Sequence, residues 1–191
     1  MVKIYVIDNG GQWTHREWRT LKYLDVETKI IPNTSNFDDI LKEGSDGFVL
    51  SGGAPRIGLE GKLGNTDDLL KKVDIPILGI CAGHQYMARF FGGKVKPSEI
   101  PEFGKVELTL LKKDMIFKGV SIKSIAWASH NDEVEKIPES FDILASSKDC
   151  KIQAMKHKEK SLYGLQFHPE VEHTEYGELI FKNFIEICEK E

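Results

Sequence analysis

Cysteine is scarce in this 191-residue chain, with only Cys81, Cys150 and Cys188, and no two of them share a CxxC spacing. So small and odd a set argues against a disulfide framework and points to a reducing cytoplasm. Long apolar runs are missing too. None approaches the roughly twenty residues needed to span a bilayer, and the opening Met1-Val2-Lys3-Ile4-Tyr5-Val6-Ile7-Asp8 reads as a strand rather than a leader. Neither sign of charge dominates. Twenty-six Lys and Arg against thirty Asp and Glu leave a net charge of −4, so no nucleic-acid or membrane surface is expected. There is no GxxxxGK[ST] loop. Repeats, linkers and low-complexity tracts are absent, which makes residues 1–191 a single domain.

What is present is a change of pattern halfway along. The first half alternates strands and helices: a β-branched strand over 3–8, a helix over 12–24, a strand over 26–31, a short helix over 36–42, and a strand over 46–50. A helix over 66–72, an unbroken apolar strand over 75–80 and a helix over 83–91 follow. Continuous apolar strands with intervening helices predict an α/β fold with a central, mostly parallel sheet covered on both faces. The second half offers short alternating segments at 106–110, 124–128, 141–145, 152–155 and 162–167, read as a small antiparallel addition. Leu179, Ile180, Phe184 and Ile187 give a closing helix over 174–190 its apolar stripe.

One of the three thiols stands out. Cys81 lies in Gly79-Ile80-Cys81-Ala82-Gly83-His84-Gln85, where an apolar strand passes into a helix. Ligands gather at the carboxyl ends of strands in such sheets. Small residues two positions either side of the thiol allow the sharp turn of a nucleophile elbow. The helix N-terminus favours a thiolate, and the Ala82 N–H is placed to hold an oxyanion. A free cysteine is ordinarily a small buried hydrophobe, and Cys150 and Cys188 are read that way. Cys81 differs because a base is available. In Phe167-His168-Pro169-Glu170, residues two apart in an extended segment face the same way, so Glu170 would orient the imidazole of His168. A metal set of His168, Glu170, Glu172 and His173 is the alternative, but Pro169 spoils a helical H-x-x-x-H spacing, and no metal is expected.

With Ser51-Gly52-Gly53, these blocks resemble the class I, triad-type glutamine amidotransferases. Asp8-Asn9-Gly10-Gly11-Gln12, Ser129-His130, Ala154-Met155-Lys156-His157 and the run from His168 to Thr174 are similar to the glutaminase part of GMP synthetase, in the archaeal form where that part is a separate subunit. The resemblance implies a flavodoxin-like fold and hydrolysis of L-glutamine through a Cys81 thioester, with His168 and Glu170 as partners. It implies an oxyanion hole at Gly53 and Ala82, and a substrate grip by Gln85 and the backbone of Ser129, His130 and Asn131. It further implies that ammonia passes to a separate ATP-pyrophosphatase subunit that converts XMP to GMP. ATP and magnesium would belong to that partner and no cofactor to this chain, since Ala54-Pro55-Arg56 does not supply the Asp-Ser of an ATP-pyrophosphatase loop. His15, Arg16, Arg19, Lys156 and His157 are the expected docking residues. Two alternatives stay open: a cysteine hydrolase of the γ-glutamyl or peptidase kind, and an amidotransferase subunit serving another synthase such as anthranilate synthase.

Overall fold

A computed structural model describes residues 1–190. Nine strands form one sheet in the order β2-β1-β3-β4-β9-β8-β7-β5-β6. The first five in that order are parallel: β1 (Ile4–Asn9), β2 (Ile30–Pro32), β3 (Gly47–Gly53), β4 (Ile77–Ile80) and β9 (Leu162–Leu165). The other four, β5 (Lys94–Leu110), β6 (Lys123–Lys136), β7 (Phe141–Ser146) and β8 (Ala154–His157), extend it antiparallel.

Strand alternation sorts the core into two layers. Ile4, Val6, Val49, Leu78 and Ile80 face one side, packed with Leu21 of α1 (Thr14–Tyr23) and Ile180, Phe181 and Phe184 of α5 (Gly177–Cys188). Tyr5, Ile7, Phe48, Leu50 and Ile77 face the other side, against α2 (Phe37–Lys42), α3 (Thr66–Lys72) and α4 (Ala82–Phe90). The expected α/β, flavodoxin-like arrangement with helices on both faces is therefore present.

Two expectations need correction. The segment over 162–167 is not part of the antiparallel addition. Leu162 to Leu165 pair in parallel with Ile77 to Ile80, and β9 is the seam at which the sheet changes sense. All four residues are buried, the mark of a strand covered on both faces. The antiparallel part is also larger than read from sequence. β5 and β6 form a long hairpin paired from Lys94–Lys136 to Thr109–Lys123; the segments read at 106–110 and 124–128 are one end of it, and the rest, much of it exposed, has no apolar pattern to announce it.

Candidate active site

The chain reverses its direction of growth across the sheet at β1 and β3, so the loops leaving their carboxyl ends part and open a crevice. Gly10 to Thr14 form one wall and Gly52 to Ala54 another, and Cys81, Ser129, His168 and Glu170 complete a cavity of about 310 Å³.

Cys81 stands at the tip of β4 with φ 49° and ψ −104°, a left-handed backbone that costs an L-residue on the order of 1–3 kcal/mol and persists only when its surroundings enforce it. They do so here. The Cys81 N–H donates to the Leu165 carbonyl at 2.8 Å, and the Cys81 carbonyl accepts the first helical bond of α4 from Gln85 N–H at 3.0 Å. The flanking glycines are sterically required. A Cβ on Gly79 would lie 2.8 Å from the Gly83 carbonyl carbon, and one on Gly83 would lie 2.4 Å from the Leu50 carbonyl oxygen. Ala82, first residue of α4, leaves its N–H without an intrahelical acceptor beside the thiol.

His168 is carried in by a turn. The strand expected through Phe167 ends at Leu165, and Pro169 and Glu170 occupy the middle of a tight turn closed by a Val171 N–H to His168 carbonyl bond of 3.4 Å. The turn is stapled to β6: His168 N–H donates to the Trp127 carbonyl at 2.8 Å, and Thr174 Oγ1 donates to the His168 carbonyl at 2.7 Å. The two side chains meet as expected, His168 Nδ1 and Glu170 Oε1 lying 2.6 Å apart, though across a turn rather than along a strand.

The position of Gly52 shows that the thiol and the imidazole share one spot. A Cβ built there would lie 3.2 Å from His168 Cε1 and 3.7 Å from Cys81 Cβ. Burial works to lower the pKa of His168, but the Glu170 charge and the hydrogen-bonding thiol of Cys81 outweigh it and raise the pKa well above the ordinary value. Nε2, the nitrogen turned away from Glu170, has no partner other than the Cys81 thiol, with which it can exchange a proton. Cys81 Sγ also lies 3.7 Å from the Ser129 carbonyl. The indole of Trp13 stands edge-on to the imidazole, ring centres 4.4 Å apart.

The expected substrate contacts divide. Ser129 lines the cavity and Asn131 is exposed beside it on β6. The side chain of His130 turns away, its Nε2 2.8 Å from Glu102 Oε2 and its Nδ1 3.0 Å from the Asp132 carbonyl, and His130 does not line the cavity. Gln85 is a correction. Its Nε2 donates to the Asp132 carbonyl at 2.6 Å and to Gln166 Oε1 at 3.0 Å, which uses both amide hydrogens to tie α4 to β6 and to the segment after β9, and it does not line the cavity. Gly53 is on the cavity wall.

The expected docking set also separates. His15, Arg16 and Arg19 are exposed on α1. Lys156 and His157 sit at the far end of β8, where Lys156 is level with Tyr163 near the start of β9, away from the elbow. His157 is buried against the rings of Phe91 and Phe141, and Nδ1 accepts the Glu159 and Lys160 N–H groups, so its side chain serves the local fold rather than a partner.

A second buried cluster, Glu102, His130 and Cys150, brings three metal-ligand types together. Its atoms are otherwise committed: Ser147 Oγ and Gln153 Nε2 also donate to Glu102, and burial pushes the Cys150 thiol up to about 12, which keeps it protonated. The alternative metal set does not assemble at the turn either. The His173 ring packs on Trp127, and its Nδ1 pairs with Glu172 at 3.8 Å.

Sequence reasoning missed Trp13, Thr14 and Glu17 at the site. Glu17, on the same face of α1 as Thr14 and Leu21, is 1% exposed and borders the cavity. A carboxylate on the apolar stripe of a helix was the available signal.

The family model for glutamine amidotransferase class-I matches residues 5–188. A glutamine-hydrolyzing GMP synthase subunit of Pyrococcus abyssi is 50% identical, over 97% of this chain and 98% of that protein. The same subunit of Thermoplasma acidophilum is 49% identical, over 98% of this chain and 94% of that one. A crystal structure described as a GMP synthase subunit from Thermoplasma acidophilum superposes with a TM-score of 0.94 at 48% identity, covering all of this chain and 95% of that one. A glutamine amidotransferase from Thermotoga maritima shares the fold, with a TM-score of 0.76 at 19% identity over 99% of this chain and 83% of that one. A match over nearly the whole sequence, joined to the geometry at Cys81, establishes that the chain belongs to the class-I glutamine amidotransferases.

Proposed function

We propose that this chain hydrolyses L-glutamine to glutamate and ammonia, and that the ammonia serves a separate ATP-dependent synthetase subunit that aminates XMP to GMP. The observation that carries this is the meeting of Cys81 and His168 across the Gly52 backbone. His168 Nε2 takes the thiol proton as Sγ attacks the side-chain amide carbon. Glu170 holds the other ring nitrogen, fixing the tautomer and stabilising the imidazolium. The oxyanion rests against the N–H groups of Gly53 and Ala82. His168 then returns its proton to the amide nitrogen, the C–N bond breaks, ammonia leaves and a thioester remains. Water attacks the thioester with His168 again accepting a proton, releasing glutamate and restoring the thiol. The Ser129 to Asn131 backbone borders the place where the amino acid would lie. ATP and magnesium belong to the partner subunit, and His15, Arg16 and Arg19 offer it an exposed basic stretch at the cavity end of α1. Relatives named as one subunit of a glutamine-hydrolyzing GMP synthase favour this reading over a γ-glutamyl or peptide hydrolase.

Cys81→Ala tests it. The variant should lose glutamine-dependent GMP formation with the synthetase subunit, yet support formation from free ammonium at the undiminished rate. Glutamine hydrolysis surviving in Cys81→Ala would overturn the assignment of the nucleophile.

A further inference from the structure

The mechanism leaves a buried carboxyl at the cavity wall unused, that of Glu17. Thr14, Glu17 and Leu21 share the inward face of α1, and Thr14 and Glu17 meet the segment that follows the core of β3. Thr14 Oγ1 lies 3.2 Å from Ser51 Oγ, and Glu17 Oε1 accepts the Gly52 N–H at 3.4 Å. Glu17 Oε2 is buried and unpartnered at the cavity wall. No cation compensates it within α1, because His15, Arg16, Arg19 and Lys22 are all exposed. The ionisable groups facing it are Glu170 and His168 from the turn after β9, and Cys81 from the elbow. Asp8, at the end of β1, is already held by the Gly10 N–H and Thr14 Oγ1.

We propose that Glu17 is a positioning residue for glutamine hydrolysis: as a neutral carboxyl it fixes the Ser51–Gly52 peptide, and with it the Gly53 that follows, against Cys81, and as a carboxylate it shuts the site down. This inference rests on the proposed glutaminase activity. The neutral form fits the surroundings. Burial first, and then the neighbouring Glu170 charge, raise the pKa of Glu17 well above its ordinary value, His168 opposing them. With Oε1 accepting from Gly52, the proton resides on Oε2. The segment that Glu17 holds includes Gly53, whose N–H is a proposed oxyanion donor, so the hold matters most once charge develops on the substrate oxygen. Ionised, Glu17 would add a second carboxylate to the buried Glu170 and oppose negative charge on both Sγ and the oxyanion. Activity is therefore present while Glu17 keeps its proton and is lost as pH rises through its elevated pKa.

The test compares wild type, Glu17→Gln, Glu17→Met and Cys81→Ala, each assembled with the synthetase subunit, by glutamate release against pH. Glu17→Gln keeps an acceptor for Gly52 but cannot ionise, and the alkaline limb of kcat should move up by about half a pH unit or more. Glu17→Met, of similar length but with no oxygen, should lower kcat about tenfold at neutral pH with KM within about twofold, as expected for a group acting mainly in the transition state. A Glu17→Gln profile that superimposes on wild type overturns the inference even if Glu17→Met fails to fold. So does a Glu17→Met enzyme with wild-type kcat. A Cys81→Ala enzyme that still hydrolyses glutamine would instead bring down the glutaminase reading itself, which separates the two failures.

Discussion

Two buried glutamate–histidine pairs lie in this molecule, each beside a cysteine. Glu170 and His168 are 2.6 Å apart near Cys81, and Glu102 and His130 are 2.8 Å apart near Cys150. Composition does not distinguish them; the fate of the second imidazole nitrogen does. In His130 both nitrogens face acceptors, Glu102 and the Asp132 carbonyl, so the ring is fully engaged. In His168 the second nitrogen has no settled partner and lies at a cavity beside a thiol. The sulfurs differ likewise. Cys150 is sealed among groups that keep it protonated, whereas Cys81 is thrust forward on a strained elbow at a helix N-terminus. The same three residue types build a structural knot when every valence is satisfied. They build a reactive centre when one nitrogen and one sulfur are left facing an opening.

The largest expected effect breaks the comparison at its reactive end. His168→Asn should lower glutamine turnover by roughly 10³–10⁴-fold, since it removes the proton acceptor beside Cys81. Steady-state glutamate release measures this, and a loss of less than tenfold would mean that another base does the work.

The next effect belongs to the structural pair. Burial raises the pKa of Glu102, but hydrogen bonds from His130, Ser147 and Gln153 outweigh it, and the net shift is downward. Glu102→Ala leaves the His130 ring buried without its partner, at a cost of roughly 3–5 kcal/mol. At about 2–4 °C per kcal/mol for a chain of this size, the melting temperature should fall by on the order of 10 °C. Turnover per folded molecule should change far less than in His168→Asn. Because the folded-state pKa is depressed, the contribution of Glu102 is fully present above the unfolded carboxylate range and is lost as pH falls through the lower folded value. Thermal melts from pH 7 down to pH 3 should therefore show the wild type converging on Glu102→Ala. Parallel curves would mean that the pair contributes nothing through its charge.

The two centres were not equally legible in the sequence. Cys81 was, because an elbow demands small residues at fixed offsets and Gly79 and Gly83 supply them. His168 and Glu170 were, because residues two apart around a proline meet in several local geometries, so the pairing survived the replacement of the expected strand by a turn. The Glu102–His130 pair was not. It joins residues 28 apart through the β5–β6 register, at Glu102 and His130, outside the segments 106–110 and 124–128 whose alternation was readable. Gln85 illustrates a different limit: sequence places it one turn after Cys81, but only the folded chain shows its amide spent on Asp132 and Gln166. Glu17 was overlooked because a charged residue on a helix is ordinarily solvated, and its burial depends on how α1 meets the β3 loop.

The smallest effect concerns the link between the two centres. Asp132 lies on β6 two residues beyond His130, and its buried carboxylate receives Arg56 Nε at 3.0 Å, Arg56 Nη2 at 2.6 Å and the Gly58 N–H at 3.0 Å. Arg56 follows Gly53 by three residues, so this ion pair ties the loop that carries the proposed oxyanion donor to the strand that carries Ser129. The guanidinium is partly open to solvent, which discounts its charge, and Gly58 still serves the carboxylate when it is gone. Arg56→Ala should therefore cost only about 1–2 kcal/mol of stability. Its kinetic signature should be larger than that figure suggests at one place alone: a loop released from β6 positions Gly53 less often, lowering kcat by about three- to tenfold while the Glu102 cluster and its acid-dependent melting stay as in wild type. If Arg56→Ala instead alters the acid melting profile and leaves kcat untouched, β6 couples the loop to the structural pair rather than to the reactive one.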